Sequence, residues 1–233
     1  MSIDNDKSTN EQRNKKKDLM AQLTKEAIEN QALGKDDVAV DTYHKALQIA
    51  EELADDEAKM VLKTHIGQVH LACERYNESL QCFEDSLGLA NKLGDMEWIL
   101  IRLNHIASVH QARGDFEKAV DHYKNAMAIS KALMDDGWQA IGHTNLGVAY
   151  QAWGKIEVAI QAYKKALEIA ESLDDKANIA LGLSLIGLAY DGQKQYDLSL
   201  NYLEKALKVA EESHLKAYTD ALPETIKEIK SRL

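Results

Sequence analysis

The sequence predicts an all-α fold of five helix-turn-helix repeats closed by one further helix, and three observations carry that expectation. A pattern of small and bulky residues recurs every 40 positions. Hydrophobic residues make up 45% of the 233-residue chain and recur at helical spacing. The only proline, Pro223, lies close to the end and leaves the preceding periodic stretches uninterrupted.

The clearest copy of the pattern runs from Gly147 to Leu167, with counterparts at Ala107 to Met127, Gly67 to Leu87 and Gly187 to Leu207, and a weaker one at Ala27 to Leu47. One register holds only small residues: Ala27, Gly67, Ala107, Gly147 and Gly187. Two more, Ala39, Ser79, Ala119, Ala159, Ser199 and Ala46, Ser86, Ala126, Ala166, Ala206, are also small. Between them stand Tyr43, Phe83, Tyr123, Tyr163 and Leu203. Small side chains let two helices approach at the short end of the ~8–10 Å interaxial range, and the bulky ones fill the gaps beside them.

Residues 1–18 are almost wholly polar and are expected to be largely disordered, with Arg13, Lys15, Lys16 and Lys17 read as a solvated helix start. From Leu19 the apolar spacing becomes helical through Met20, Leu23 and Ala27, Gly34 ends that helix, and a second begins near Asp37. Five such pairs are expected over about 19–54, 55–94, 95–134, 135–174 and 175–213. Asp55, Asp95, Asp135 and Asp175 recur at the same interval, and they, or Asp56, Asp136 and Asp174 beside them, read as caps for unpaired backbone N–H groups. Residues 214–233 read as a capping helix with an apolar stripe of Leu222, Ile226, Ile229 and Leu233. A mobile helix lying in a groove is the alternative.

A Gly or Ala, an aromatic three residues later, a turn Gly, and then Ala, aromatic and Ala on a second helix resemble the tetratricopeptide repeat family over about residues 20–213. The resemblance implies a right-handed α-solenoid whose first helices line a concave groove. The common period is about 34 residues with a closing proline. Here the period is 40, and Glu51, Asn91, Lys131, Glu171 and Glu211 stand at the proline position. The longer helices resemble those of kinesin light chains, spindle-orienting adaptors and Rap-type regulators. The last carry an additional amino-terminal helical domain, which residues 1–18 are too short to supply.

The net charge of −10 argues against non-specific nucleic-acid binding, which needs a basic surface to displace counterions. No apolar run reaches the ~20 residues of a membrane span, so a soluble cytoplasmic protein without membrane insertion is expected. Cys73 and Cys82, the only cysteines, read as thiols. There is no phosphate-binding glycine loop, CxxC or HExxH, and the expectation is a non-enzymatic chain with no catalytic residue, metal or cofactor. His65 and His70, like His105 and His110, are five apart, about 140° around a helix and unsuited to one metal. His70 and His110 occupy the aromatic packing register, and His65 and His105 stack across neighbouring repeats.

The resemblance places Val61, Thr64, His65 and Gln68 on the groove, followed by Trp98, Ile101, Asn104, His105 and Ser108. Trp138, Ile141, Thr144, Asn145 and Val148 come next, then Leu181, Ser184, Leu185 and Leu188. Trp98 and Trp138 share one register and either face the groove or cement neighbouring repeats, whereas Trp153 reads as packing. The cationic clamp that some family members use for a terminal carboxylate is absent, its positions reading mainly Thr24, Ile28, Thr64, Gln68 and Asn104. Such a groove suits a protein or peptide partner with hydrophobic anchors, making the chain an interaction adaptor or scaffold. Two alternatives are a self-assembling homo-oligomer and a peptide-responsive sensor.

Overall fold

The computed structural model describes residues 2–233, with side chains described from residue 10 onward. The described residues form eleven helices and no strand: α1 (Ser2–Ala32), α2 (Asp36–Glu52), α3 (Asp56–Ala72), α4 (Tyr76–Leu93), α5 (Met96–Arg113), α6 (Phe116–Ala132), α7 (Asp136–Ala152), α8 (Ile156–Ser172), α9 (Lys176–Gly192), α10 (Tyr196–Glu212) and α11 (Lys216–Lys230). They divide into two compact units, Met1–Val109 and His110–Leu233.

In the first unit, α1, α2 and α3 enclose a core of Ala27, Ala39, Tyr43, Ala46, Leu62, Ile66 and Val69. A second cluster gathers Phe83, Ile106 and Val109. The small register now has a geometric meaning. A Cβ at Gly67 would lie 2.9 Å from the Phe83 ring, which is closer than side chains tolerate, so only glycine admits the aromatic there. Ser79 Oγ donates to the Gly67 carbonyl at 2.8 Å, tying α4 to α3 at the same point.

The second unit repeats the device. A Cβ on Gly147 would collide with the Tyr163 ring, and one on Gly187 would stand 2.7 Å from Leu203. The Tyr163 hydroxyl stays satisfied by donating to Gln151 Oε1 at 2.9 Å. α11 lays Leu222, Ile226 and Ile229 against Leu203 and Ala206 of α10. It is held at its end by Arg232, which donates to both carboxylate oxygens of Asp191 at 3.0 and 3.1 Å. The fourth residue of the expected stripe, Leu233, is 69% exposed because α11 ends at Lys230. Pro223 lies inside α11 rather than before it.

The four capping aspartates act as expected. Asp55 accepts from Ala58 N, Asp135 from Trp138 N and Asp175 from Asn178 N, while Asp95 accepts from both Glu97 N and Trp98 N. Each of the turns before them uses one left-handed residue, glycine only at Gly94, and otherwise Ala54, Met134 and Asp174. A bond from each capping residue's N–H to a carbonyl five residues back, as from Asp55 to Ala50 at 2.9 Å, closes the helix end.

The amino terminus corrects the sequence reading. α1 begins at Ser2, so the segment expected to be largely disordered is helical from Ser2 onward, and Arg13, Lys15, Lys16 and Lys17, read as a helix start, lie within the helix. The segment contains no Gly or Pro, and adding turns to a helix already packed through Met20, Leu23 and Ala27 avoids the cost of nucleation. Lys15 pairs with Glu11 at 2.7 Å, and Lys16 reaches Glu52 on α2 at 2.9 Å. Of that segment only Met1 lies outside the described residues.

Gly147→Ala should destabilise the chain by about 1–3 kcal/mol, because overpacking against a buried ring exceeds the propensity gain of up to ~1 kcal/mol. Gly88→Ala supplies the contrast, since an added Cβ inside α4 meets nothing within 4 Å and should stabilise by up to ~1 kcal/mol. Urea denaturation of both variants decides the matter. Equal stabilisation by the two would show that the α7–α8 approach is not tight.

Candidate partner-binding site

Each unit presents its own first-helix surface, and the residues expected on it divide between them. In the first unit, Val61, His65 and Gln68 on α3 are half-buried, as are Trp98, Ile101, Asn104, His105 and Ser108 on α5. Between α1 and α3 the surface sinks into an open groove of about 300 Å³ lined by Met20, Ala21, Thr24, Asp55, Glu57, Ala58, Val61 and Leu62. Thr64 is a correction. It is only 6% exposed, and its hydroxyl donates to the Met60 carbonyl at 2.8 Å, so it belongs to the packing beneath.

The histidines are packed side chains with neighbours of defined geometry. His65 stacks on Tyr43 with centroids 5.3 Å apart, and His105 on Phe83 at 4.8 Å. Gln68 Nε2 lies 3.3 Å from His105 Nε2, and Ser108 Oγ donates to the His105 carbonyl at 2.7 Å. Burial, then the positive charge of Arg102, then His65 push the His105 imidazole down to about 4. His65 is lowered chiefly by burial as well.

Arg102 is the residue that sequence reasoning missed. It is 1% exposed, its Nε donates to Ser86 Oγ on α4 at 2.7 Å, and its guanidinium lies 4.7 Å from the centre of the Trp98 ring. Burial lowers its pKa to about 10. The signal was available, for the same register holds Gln22, Leu62, Gly142 and Gly182 in the other copies and only here a charge. Trp98 therefore packs over a buried cation while keeping part of its surface in solvent.

In the second unit, Trp138 is half-buried at the start of α7, and Ile141, one turn on, is 38% exposed. Thr144 donates its hydroxyl to the Ala140 carbonyl at 3.0 Å, and Asn145 is half-buried beside it in sequence. Val148 and Leu185 pack against the cluster of Ile160, Tyr163 and Ile186, which makes them part of the repeat's cement. On α9, Leu181 is half-buried and Leu188 is 41% exposed. Ser184, like Thr64, is a correction: it is 6% exposed and donates to the Ala180 carbonyl at 2.7 Å. Trp153 stacks on Tyr150 and carries the Lys155 ammonium 3.2 Å from its ring centre, in keeping with a packing role at the turn.

Cys73 and Cys82 are free thiols, and among the described residues no group of three or more His, Cys, Asp or Glu side chains is arranged to hold a metal. No helix among them is long and apolar enough to cross a membrane.

The tetratricopeptide repeat family model matches residues 60–132, 95–172 and 139–212. The chain belongs to that family, whose fold is consistent with a protein-interaction adaptor. No curated protein matches significantly by sequence. Among solved structures, the apo form of RapI is similar at 18% identity and a TM-score of 0.73, over 87% of this chain and 74% of that one. BtubC from P. vanneervenii gives 20% identity and 0.73, over 84% and 81%. A Rap protein complexed with competence and sporulation factor gives 17% and 0.71, over 86% of this chain and 56% of that one. At such identities the likeness is one of fold.

The depressed His105 pKa has a definite sign for stability. The folded value, about 4, lies below the unfolded value near 6.5, so the unfolded chain binds more protons between them. Stability should be unaffected above about pH 7 and fall as pH drops through 6.5 toward 4, with His105 contributing about 1–2 kcal/mol of loss at pH 5. His65, His70 and His143, all lowered mainly by burial, act in the same direction. Thermal melts from pH 7.5 to 5 should show a falling Tm, and His105→Gln should flatten that slope. An unchanged slope in the variant would place His105 in contact with water.

Proposed function

We propose that the chain is a non-enzymatic interaction scaffold that binds an extended or helical segment of a partner protein along its first-helix surfaces. One observation carries this reading. Trp98 and Trp138 occupy the same register in their two units, each half-buried, and each is followed one turn later by an isoleucine, half-buried at Ile101 and exposed at Ile141. Large aromatic and aliphatic groups presented by rigid helices are what a partner's hydrophobic anchors require, and tryptophan is enriched among residues that dominate binding energy. Leu188 adds a further exposed apolar group on α9.

The similar structure of a Rap protein complexed with competence and sporulation factor supports binding of a partner on this kind of fold. The two-sided demand on Trp98, packing below and exposure above, is compatible with binding because an indole offers a large face to each.

Alanine at Trp98, Ile101, Trp138 or Ile141 should weaken capture of a partner from lysate by about 1–2 kcal/mol each, roughly five- to thirtyfold in Kd. Helicity measured by circular dichroism should stay unchanged. Variants that lose helicity in proportion to binding would assign these residues to repeat packing alone.

A further inference from the structure

Within the first unit one buried cation has no counter-charge among the described residues. Arg102 is 1% exposed, and its single hydrogen bond goes from Nε to the neutral hydroxyl of Ser86. Its Nη1 is buried with no acceptor, and among the described residues no carboxylate lies within ion-pair distance of the guanidinium. Other cations of the unit are treated differently: Lys63 has Asp85 at 2.7 Å, and Lys59 and Lys92 share Asp56. A buried cation without an anion is strongly unfavourable unless something supplies the missing charge.

The surroundings say where that charge could come from. Ser86 Oγ, which accepts from Arg102 on α5, itself donates to the Met60 carbonyl on α3 at 2.9 Å, which brings the guanidinium to the floor between these two helices, where its charge adds to burial in lowering His65 and His105. Both imidazoles are held neutral by burial, so neither competes as a second cation. His105 Nδ1 is itself buried without a partner, a second unmet polar group in the same floor. Trp98, in the first turn of α5 and half-buried, holds its ring 4.7 Å from the guanidinium, and a rotamer change of this one side chain is the movement that access to Arg102 requires.

We propose that Arg102 is a carboxylate receptor: an Asp or Glu side chain of the bound partner segment enters beside Trp98 and pairs with the guanidinium between α3 and α5. This rests on the partner-binding reading above and adds the chemistry of the partner. Planar guanidinium donors match a carboxylate in a bidentate fashion, and the pairing is strengthened where water is excluded. The net charge of −10 opposes an acidic ligand at long range, but screening over about 8 Å at physiological salt leaves contact pairs to decide. An aliphatic or aromatic residue next to the acid would meet Ile101 and the displaced indole.

Two libraries of short random peptides, one with amidated and one with free carboxyl termini, panned on the full chain and on Arg102→Met, test the assignment. The amidated library should yield wild-type binders enriched in Asp or Glu beside an apolar residue, each losing at least about tenfold on R102M. Replacing the acid by its amide should cost a similar factor on the wild type and little further on R102M. R102M itself should melt at or above the wild-type Tm, because it loses an unpaired buried charge, which shows that the lost binding is not lost folding. Neutral binders that ignore R102M yet fail on Trp98→Ala overturn the receptor and leave the partner-binding reading standing. Enrichment confined to free carboxyl termini overturns the side-chain assignment, and the absence of any binder sensitive to Trp98 or Arg102 overturns both readings.

Discussion

The structure depends on one recurring contact: a first-helix residue with little or no side chain against a bulky residue of the following helix. At Gly147 the Tyr163 ring occupies the space a Cβ would need, and Gly67 with Phe83 and Gly187 with Leu203 repeat the arrangement. Dispersion at such short range, gathered over a whole ring, holds the two helices of a pair side by side. The orientation of every other side chain on a first helix follows. Once the small-residue face, Ala107 on α5 and Gly147 on α7, is committed inward, Trp98 and Trp138 are left toward the outer edge.

Much of this was legible because the repeat supplies several independent readings of the same register. The helix pairs, the small-against-large packing and the capping aspartates all appear as columns of like residues 40 apart, and the structure places them as those columns imply. What was not legible lacks a column. α1 has no counterpart for its first turns, so polarity alone suggested disorder where good helix formers simply extend a packed helix. Leu233 fits the apolar stripe of α11 but falls beyond its end. The non-glycine left-handed residues Ala54, Met134 and Asp174 are dictated by the turn geometry rather than by their own preference.

The candidate site was legible in outline and not in depth. Spacing distinguishes the faces of a helix by about 100° per residue, too coarse to separate the exposed rim from the layer below it. Thr64 and Ser184 therefore looked like surface polar groups, while their hydroxyls return to carbonyls of their own helices and need no water. Val148 and Leu185 were placed on the same face, but the aromatic cluster around Tyr163 takes them as packing. Arg102 is the reverse case, a charged residue that the spacing did not single out and that lies buried beside an indole. In each case the difference lies in one turn of rotation or a few ångströms of depth.

Arg102 and Ser86 also bear on how a chain of similarly patterned parts assembles in order. In the register of Ser86 the other copies carry Ala46, Ala126, Ala166 and Ala206, and only Ser86 offers an oxygen to the guanidinium. During folding, α5 could pair with any second helix that presents the same small and aromatic residues. Against an alanine it would strand the Arg102 Nε as well as Nη1, at a cost of a few kcal/mol for each unmet group. The pair thus works as a key cut for one lock among five, giving a repetitive chain a way to count.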